Sequence, residues 1–168
     1  MRRIWAGWRM DYILGDKSQE CVFCRALQGH DDAANHVLYR GERVALMLNR
    51  YPYTNGHLLI VPLAHAGDLS ELDRETLADM MLLAEKGIAL LRAAMSPHGF
   101  NVGINLGQAA GAGIQDHVHI HIVPRWENDT NFLPVLGNVR VIPEWLNDTY
   151  CKLLAALETI TGGTGKLL

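Results

Sequence analysis

The chain has 168 residues, of which 49% are hydrophobic and 20% are charged. This balance excludes a largely disordered chain, and the length predicts one domain with a single sizeable core. The formal net charge is −3, whereas proteins that bind nucleic acid polymers by neutralising phosphates are usually basic, so DNA and RNA are disfavoured as the main partner.

The sequence predicts a cytoplasmic protein without a membrane span. It contains no stretch of about 18 uncharged apolar residues, and its longest apolar region, residues 76–95, is interrupted by four charged side chains. The basic start is not followed by the continuous apolar stretch of a secretory signal. Three cysteines, Cys21, Cys24 and Cys151, are too few for a disulfide scaffold.

The N-terminal third is predicted to contain an arm followed by strands. Residues 1–20 are rich in aromatic and arginine side chains, and we expect them to pack on the domain or on a second subunit. Three short apolar runs then predict strands at residues 36–40, 43–48 and 57–61. Gly41 and Glu42 fit a hairpin turn between the first two runs, and residues 51–56 are dense in turn formers.

The clearest helix lies in the middle of the chain. Ser70 is its predicted N-cap, and Asp73 stands where a capping box has its acid. One apolar face is formed at spacings of three and four by Leu77, Met80, Met81, Ala84, Ile88, Leu91 and Met95. Residues 96–99 are predicted to end this helix, and a last helix is expected to begin near Pro143.

Two further strands are predicted on either side of a glycine-rich connection at residues 107–116. In the first, residues 100–106, apolar positions alternate with a polar face that includes Asn105. The second covers residues 117–123. Strands that mostly follow one another, with a long central helix, predict an α+β fold with an antiparallel sheet.

The strand at residues 117–123 carries the strongest functional signal. Alternation places His117, His119 and His121 on one face, each roughly 7 Å from the next along the strand. A buried unpaired imidazole is costly, so a core strand has no reason to carry three. Neutral imidazole is a good nucleophile, and a second ring can stabilise or protonate a phosphate oxygen, so the row indicates phosphorus chemistry. A solvated or metal-binding polar face is the alternative.

The glycine-rich connection comes directly before this histidine row. Glycines such as Gly111 and Gly113 let backbone N–H groups approach anionic oxygens, as a phosphate site requires. Taken alone, the same composition fits a mobile hairpin connection equally well. Its position beside the histidines favours the phosphate-binding interpretation.

Residues 117–124 resemble the signature of the histidine triad (HIT) family of nucleotide hydrolases and transferases. Residues 55–62 resemble the Gly-His strand that this family has upstream of its helix, and Asn49 stands where the family often has an asparagine near the ribose. The resemblance covers about residues 21–126. Four further segments resemble a bacterial branch of the family that includes diadenosine tetraphosphate phosphorylases and hydrolases. They are Tyr51-Pro52-Tyr53, residues 99–103, residues 123–126 and Asn131-Phe132.

The resemblance implies an antiparallel sheet of about five strands, a long central helix and a C-terminal helix. It also implies a homodimer in which the two sheets join. The whole chain is then expected to form a single HIT-like domain. Its parts would be the arm (1–20), the core (21–126), a C-terminal extension and helix (127–160) and a tail (161–168).

The family mechanism, carried over to matching positions, gives the histidines separate roles. His119 would attack the α-phosphorus of an adenine (di)nucleotide such as diadenosine tetraphosphate, or of a nucleoside phosphoramidate, and form a nucleotidyl-histidine. His121 would contact the α-phosphate and help the leaving group depart. His57 would be a further polar member of the site. Water would then release AMP, or inorganic phosphate would release ADP. The nucleotide-binding candidates are Asn49, Asn105, Gly111, Gly113 and Gln115.

The sequence departs from the family pattern just before the triad. Many relatives carry Gln-Ser or Gln-Thr there, whereas the matching positions are Gly113 and Ile114, which have no hydroxyl. Gln108 and Gln115 are the candidate replacements. The choice between hydrolysis and phosphorolysis therefore stays open, and a nucleotide-sensing homodimer with little catalysis is the alternative function.

Cys21 and Cys24 have the spacing of a zinc knuckle. A redox pair or an incidental reduced pair has the same spacing, although the parallel βα context of a redox pair is not predicted. Some HIT relatives complete such a knuckle with two histidines, and the resemblance implies His65 and His117 here, in a closed structural zinc site. A single metal held by all three triad histidines is disfavoured by the spacing of side chains along a strand.

Overall fold

The computed structural model describes residues 20–130, 136 and 141–168. Apart from Glu20, the predicted N-terminal arm lies outside the described residues, and so does the Asn131-Phe132 motif. The helices are α1 (Val22–Gln28), α2 (Asp32–Asn35), α3 (Arg74–Met95) and α4 (Leu146–Ile160). The strands are β1 (Val37–Arg40), β2 (Val44–Leu48), β3 (Leu58–Pro62), β4 (Gly99–Ile104) and β5 (Ile120–Arg125).

The five strands form one sheet in the order β1-β2-β3-β5-β4, and every pairing is antiparallel. The α+β fold, the five strands and the two main helices predicted from the sequence are confirmed. In the centre of the sheet, His121 on β5 is opposite Leu59 of β3 and Gly103 of β4. These registers fix where the strand bearing the last triad histidine lies.

The two faces of the sheet are covered differently. On one face the main core packs against α3 and α4, and it includes Leu46, Ile60 and Ile122. On the other face a smaller apolar cluster contains Phe23, Ala26, Val37, Met47, Leu59 and Val61. Because side chains alternate along a strand, His121 shares the second face with its cross-strand partner Leu59. The imidazoles therefore lie on the α1 side of the sheet.

The start of α3 differs from the prediction. The N-cap is Asp73, whose carboxylate accepts a hydrogen bond from the N–H of Thr76 at 2.6 Å. The prediction of Ser70 as the N-cap is wrong, because Asp68 draws that residue into a separate 3-10 turn, accepting from its N–H and its hydroxyl. The last helix begins at Leu146, three residues after the predicted start.

Strand β5 begins later than predicted, so the triad is not a row on one paired strand. Pairing with β3 and β4 starts at Ile120, and His117 and His119 precede it. Upstream, the N–H of Val118 donates to the carbonyl of Ala66 at 2.7 Å, which draws the segment towards the residues that follow β3. Within the described ranges, no helix has the length and apolar character needed to cross a membrane.

Candidate active site and metal centre

Three imidazoles form a row of ring contacts on the α1 side of the sheet, with His121 in the middle. The ring centroids of His57 and His121 are 5.1 Å apart, and those of His119 and His121 are 4.7 Å apart. His57 is completely buried, whereas His119 and His121 keep 6% and 9% of their surface exposed. The two histidines predicted to meet phosphate are thus the two that solvent still reaches.

A chain of hydrogen bonds fixes which nitrogen of His121 carries the proton. The backbone N–H of Tyr53 donates to Nδ1 of His57 at 3.1 Å, and the Asn49 amide donates to the same nitrogen at 3.2 Å. Nδ1 of His57 is therefore unprotonated, and its Nε2–H donates to Nδ1 of His121 at 3.0 Å. His121 consequently carries its proton on Nε2, and the Asn105 amide, 3.5 Å from that nitrogen, can accept this proton only through its side-chain oxygen.

The orientation of His119 is fixed by its own backbone neighbourhood. Its Nδ1–H donates to the carbonyl oxygen of His117 at 2.8 Å. A neutral imidazole carries one proton, so Nε2 of His119 has a free lone pair. The rings of Phe23 and His121 contact His119, with centroids 4.9 and 4.7 Å away.

Burial keeps these imidazoles neutral. The pKa of His57 is lowered to about 3 and that of His121 to about 4. Burial is the larger cause of both shifts, and the neighbouring imidazoles are the smaller one. Burial also lowers the pKa of His119, although its hydrogen bond to the His117 carbonyl opposes the shift. At neutral pH the three rings are therefore uncharged, and a lone pair at His119 is available to an electrophile.

The predicted nucleotide-binding residues fall into two groups. Asn49 and Asn105 are half-buried and contact the histidine cluster, as described above. Gly111, Gly113 and Gln115 lie exposed on the connection before the triad, where Gly111 has a left-handed φ of 84°. In residues 20–130 no hydrogen bond or ring contact joins these three to the histidines, so their role as a phosphate cradle stays a prediction.

A second cluster lies next to the imidazoles and consists of Cys21, Cys24, His65 and His117. The four ligand atoms all lie within 4.8 Å of one another. Nδ1 of His117 is 3.3 and 3.7 Å from the two sulfurs, and Cys24 Sγ is 3.3 Å from Nδ1 of His65. Tetrahedral zinc with ordinary bond lengths requires sulfur–nitrogen separations of about 3.6 Å. The donor set and its spacing therefore fit zinc.

The local structure prepares these ligands. Cys21 is the N-cap of α1 and Cys24 lies in its first turn, so one helix end presents both thiols. Nε2–H of His117 donates to the Pro62 carbonyl at 2.8 Å, which leaves Nδ1 unprotonated and directed at the sulfurs. At the other end of α1, Arg40 donates to the carbonyls of Ala26 and of the C-cap residue Gly29. The helix that carries the thiols is thereby anchored to β1.

Sequence reasoning missed three residues of this region. Phe23 contacts both His117 and His119, Tyr53 stacks on His121 with ring centroids 5.7 Å apart, and Arg40 anchors α1. Phe23 stands between the two predicted zinc ligands in sequence, which was a usable signal. In the sequence Tyr53 belongs to a turn and to the Tyr51-Pro52-Tyr53 motif, neither of which places it against the histidines, and nothing local distinguishes Arg40 from a surface arginine.

An antiparallel five-stranded sheet with a buried histidine cluster and an adjoining Cys/His cluster defines a histidine triad protein. The HIT domain family model matches residues 31–128. The chain belongs to the HIT family.

Similar proteins come from several microbes. An AP-4-A phosphorylase of Mycobacterium tuberculosis is 37% identical over 150 residues, which cover 84% of this chain and 76% of the relative. A zinc-bound histidine triad family protein from Mycobacterium smegmatis matches with a TM-score of 0.70 and 32% identity, covering 86% of this chain and 98% of that one. A hypothetical histidine triad nucleotide-binding protein from Sulfolobus tokodaii matches with a TM-score of 0.68 and 25% identity, covering 87% of this chain and 97% of that one.

Proposed function

We propose that this protein is a nucleotide hydrolase or transferase that cleaves at the α-phosphate of an adenine dinucleotide through a nucleotidyl-His119 intermediate. One observation carries the proposal. The bond from His119 Nδ1–H to the His117 carbonyl leaves Nε2 as a lone pair, beside the protonated Nε2 of His121. A nucleophile and a hydrogen-bond donor thus stand next to each other on neutral rings.

The reaction divides into two displacements. Nε2 of His119 forms a bond to the α-phosphorus, and the bond from that phosphorus to the bridging oxygen breaks, releasing a nucleoside polyphosphate. The Nε2–H of His121 stabilises the charge on the phosphate oxygens and supports departure of the leaving group. Water or inorganic phosphate then attacks the intermediate, which releases AMP or ADP and restores the lone pair of His119.

The remaining site residues position the reactants. His57 holds His121 in the productive tautomer, and Asn49 stabilises His57 through their hydrogen bond. Asn105 is proposed to bind the phosphate or ribose. The exposed connection with Gly111, Gly113 and Gln115 would supply further donors once a nucleotide is bound. The proposed catalytic residues are His57, His119 and His121. The proposed nucleotide-binding residues are Asn49, Asn105, Gly111, Gly113 and Gln115.

Diadenosine tetraphosphate is the proposed substrate. The similarity to the AP-4-A phosphorylase of M. tuberculosis supports this choice, because it extends over most of both chains. The same similarity supports inorganic phosphate as one acceptor of the nucleotidyl group.

Zinc is the proposed cofactor, held by Cys21, Cys24, His65 and His117 in a structural site. Zinc supplies no reaction step there, since four protein ligands leave no open coordination position. The fit of the four donors and the zinc-bound relative from M. smegmatis support the assignment. A reducing compartment such as the cytoplasm is the proposed location, because the two thiols must stay reduced to bind metal.

A homodimer is the proposed assembly. Strand β4 lies at the edge of the sheet, and Val102 in its middle is 45% exposed. An unpaired edge with an exposed apolar side chain is suited to pairing with a second sheet. The division into arm, core, extension and tail of one domain, as set out from the sequence, belongs to the same proposal.

Product analysis tests the function. The protein is incubated with diadenosine tetraphosphate, with and without inorganic phosphate, and the nucleotides are separated. We expect AMP and ATP without phosphate, ADP and ATP if phosphate is the acceptor, and no turnover for His119→Asn. The matched control is His30→Asn, since His30 is an exposed histidine outside the cluster. Turnover by His119→Asn at the wild-type rate would remove His119 as the nucleophile.

A nucleotide-sensing dimer with little catalysis is the second candidate. It is favoured by Gly113 and Ile114, which lack the hydroxyl that many relatives have, and by the packing of Ile114 on the apolar cluster under α1. It predicts saturable binding of AMP without product formation in the same assay.

A further inference from the structure

Phe23 lies between the two functional clusters. Its ring centroid is 5.4 Å from that of His117, a metal-ligand candidate, and 4.9 Å from that of His119, the proposed nucleophile. The side chain is only 5% exposed. Both contacts are edge-on or tilted, which is a favourable arrangement for aromatic rings. Phe23 therefore touches the metal cluster and the nucleophile at once.

The backbone around Phe23 is held at both ends of α1. Phe23 lies in the first turn of this helix, between Cys21 and Cys24, so binding a metal through both thiols fixes its backbone. The opposite end of the helix is anchored by Arg40, which donates to carbonyls of the last turn. The Phe23 ring consequently has little freedom to move away from the histidines.

His119 depends on such a support. One hydrogen bond, to the His117 carbonyl, orients its ring, and rings contact it on two sides. Without the Phe23 ring, the His119 side chain could rotate away from that carbonyl, and Nε2 would then lose its fixed direction. Nucleophilic attack requires the lone pair to be aligned with the phosphorus atom.

We propose that Phe23 is a positioning residue that transmits the rigidity of the metal cluster to the ring of His119. This inference deepens the proposed function and rests on it for its catalytic consequence. Its structural consequence, a single orientation of the His119 ring, needs no substrate. The structural zinc site would thus serve the reaction through an apolar contact, without coordinating any reacting atom.

The test compares three zinc-loaded variants. Phe23→Leu removes the aromatic ring, and Phe23→Tyr keeps it. Val37→Ala is the control: it weakens the apolar cluster to which Phe23 belongs, but from β1, which is separated from β5 by β2 and β3. Nitrogen-15 NMR of the imidazoles measures the tautomer of His119. Metal analysis measures zinc content, and rapid quench with diadenosine tetraphosphate measures the rate of nucleotidyl-histidine formation, kcat and KM.

We expect Phe23→Leu to keep its zinc and to shift the His119 signals towards an average of two tautomers. Nucleotidyl transfer should slow by up to about tenfold, with KM changed less than twofold. Phe23→Tyr and Val37→Ala should keep the wild-type His119 signals. If Phe23→Leu does not fold, Phe23→Met takes its place with the same expectation.

The inference is overturned if the ring-deleted variant shows wild-type His119 signals, or if Val37→Ala shifts them equally. It is also overturned if removing the ring releases zinc, because Phe23 would then act on the metal cluster alone. Failure of the proposed function is a separate result, since a wild-type protein that does not form a nucleotidyl-histidine still gives the His119 spectrum.

Discussion

The hydrogen-bond relay from Tyr53 through His57 to His121 can be interrupted on either side of His57 by a single substitution. Asn at position 57 places its side-chain oxygen near the place of the imidazole Nδ1, so it still accepts from the N–H of Tyr53 but offers nothing to His121. Gln places its amide nitrogen near the place of Nε2, so it keeps the donor to His121 and loses the acceptor. His57→Asn and His57→Gln are therefore a matched pair.

The expected effect of His57→Asn follows from burial. His121 is 9% exposed, and its Nδ1 accepts one hydrogen bond, the one from His57 at 3.0 Å. Leaving a buried acceptor unpaired costs about 1–3 kcal/mol. The tautomer with the proton on Nε2 loses that stabilisation, which corresponds to a decrease in kcat of about 5- to 150-fold. The free energy of unfolding should fall by a similar amount.

His57→Gln should lose comparable stability, because the N–H of Tyr53 loses its acceptor, but it should retain much more activity. The assays are denaturant unfolding, steady-state kinetics with diadenosine tetraphosphate and nitrogen-15 NMR of His121. Equal kcat losses in the two variants would show a general effect of cavity formation. An unchanged His121 tautomer in His57→Asn would refute the proposed relay.

Three further predictions concern the metal, the backbone and pH. Cys24→Ser should reduce the zinc content by metal analysis, and a Cys151→Ser control, outside the cluster, should retain it; equal zinc in both would place the metal elsewhere. Gly56→Ala should lower the free energy of unfolding by about 2–4 kcal/mol, because φ is +73° and the new Cβ would lie 2.7 Å from Sδ of Met95; a loss under 1 kcal/mol in thermal unfolding would contradict this. Because the pKa of His57 is lowered to about 3 in the folded protein, the unfolded state binds the extra proton as pH falls below about 6.5, and His57 alone should contribute about 2 kcal/mol to the fall in the free energy of unfolding between pH 7.5 and pH 5, in addition to the contribution of His121. His57→Asn should show a smaller difference between pH 7.5 and pH 5, and an identical difference would refute this assignment.

Sequence patterns predicted the fold because hydrophobic alternation and turn residues are local signals. The strands at residues 37–40, 44–48 and 58–62 lie within one residue of their predicted limits. The helix start was misplaced because Ser70 lies in a separate 3-10 turn capped by Asp68, whereas Asp73 caps the helix, and a local pattern cannot show that these are two elements. The Cys/His set was carried over from the family resemblance, and the spatial cluster contains all four residues.

The order within the triad could not be predicted from alternation. A strict strand would have given three equivalent imidazoles, whereas the structure gives His117 to the cysteines and leaves His119 and His121 together. The difference arises because β5 pairs with its neighbouring strands only from Ile120 onwards, whereas the segment before it is held by a hydrogen bond from Val118 to the carbonyl of Ala66. Such long-range contacts are decided by tertiary structure, so the direction of the His57 relay could not be predicted, and the only local sign of the role of Phe23 is its place between the two cysteines.

The central claim is that Nε2 of His119 forms the bond to phosphorus. Rapid mixing of the protein with diadenosine tetraphosphate labelled at the α-phosphate, alkaline quench and peptide mapping measure this directly. The account predicts a transient label of one adenylyl group on His119, which forms at least as fast as product and is missing from His119→Gly. A label on any other residue, or turnover at full rate with no protein-bound label, would contradict it.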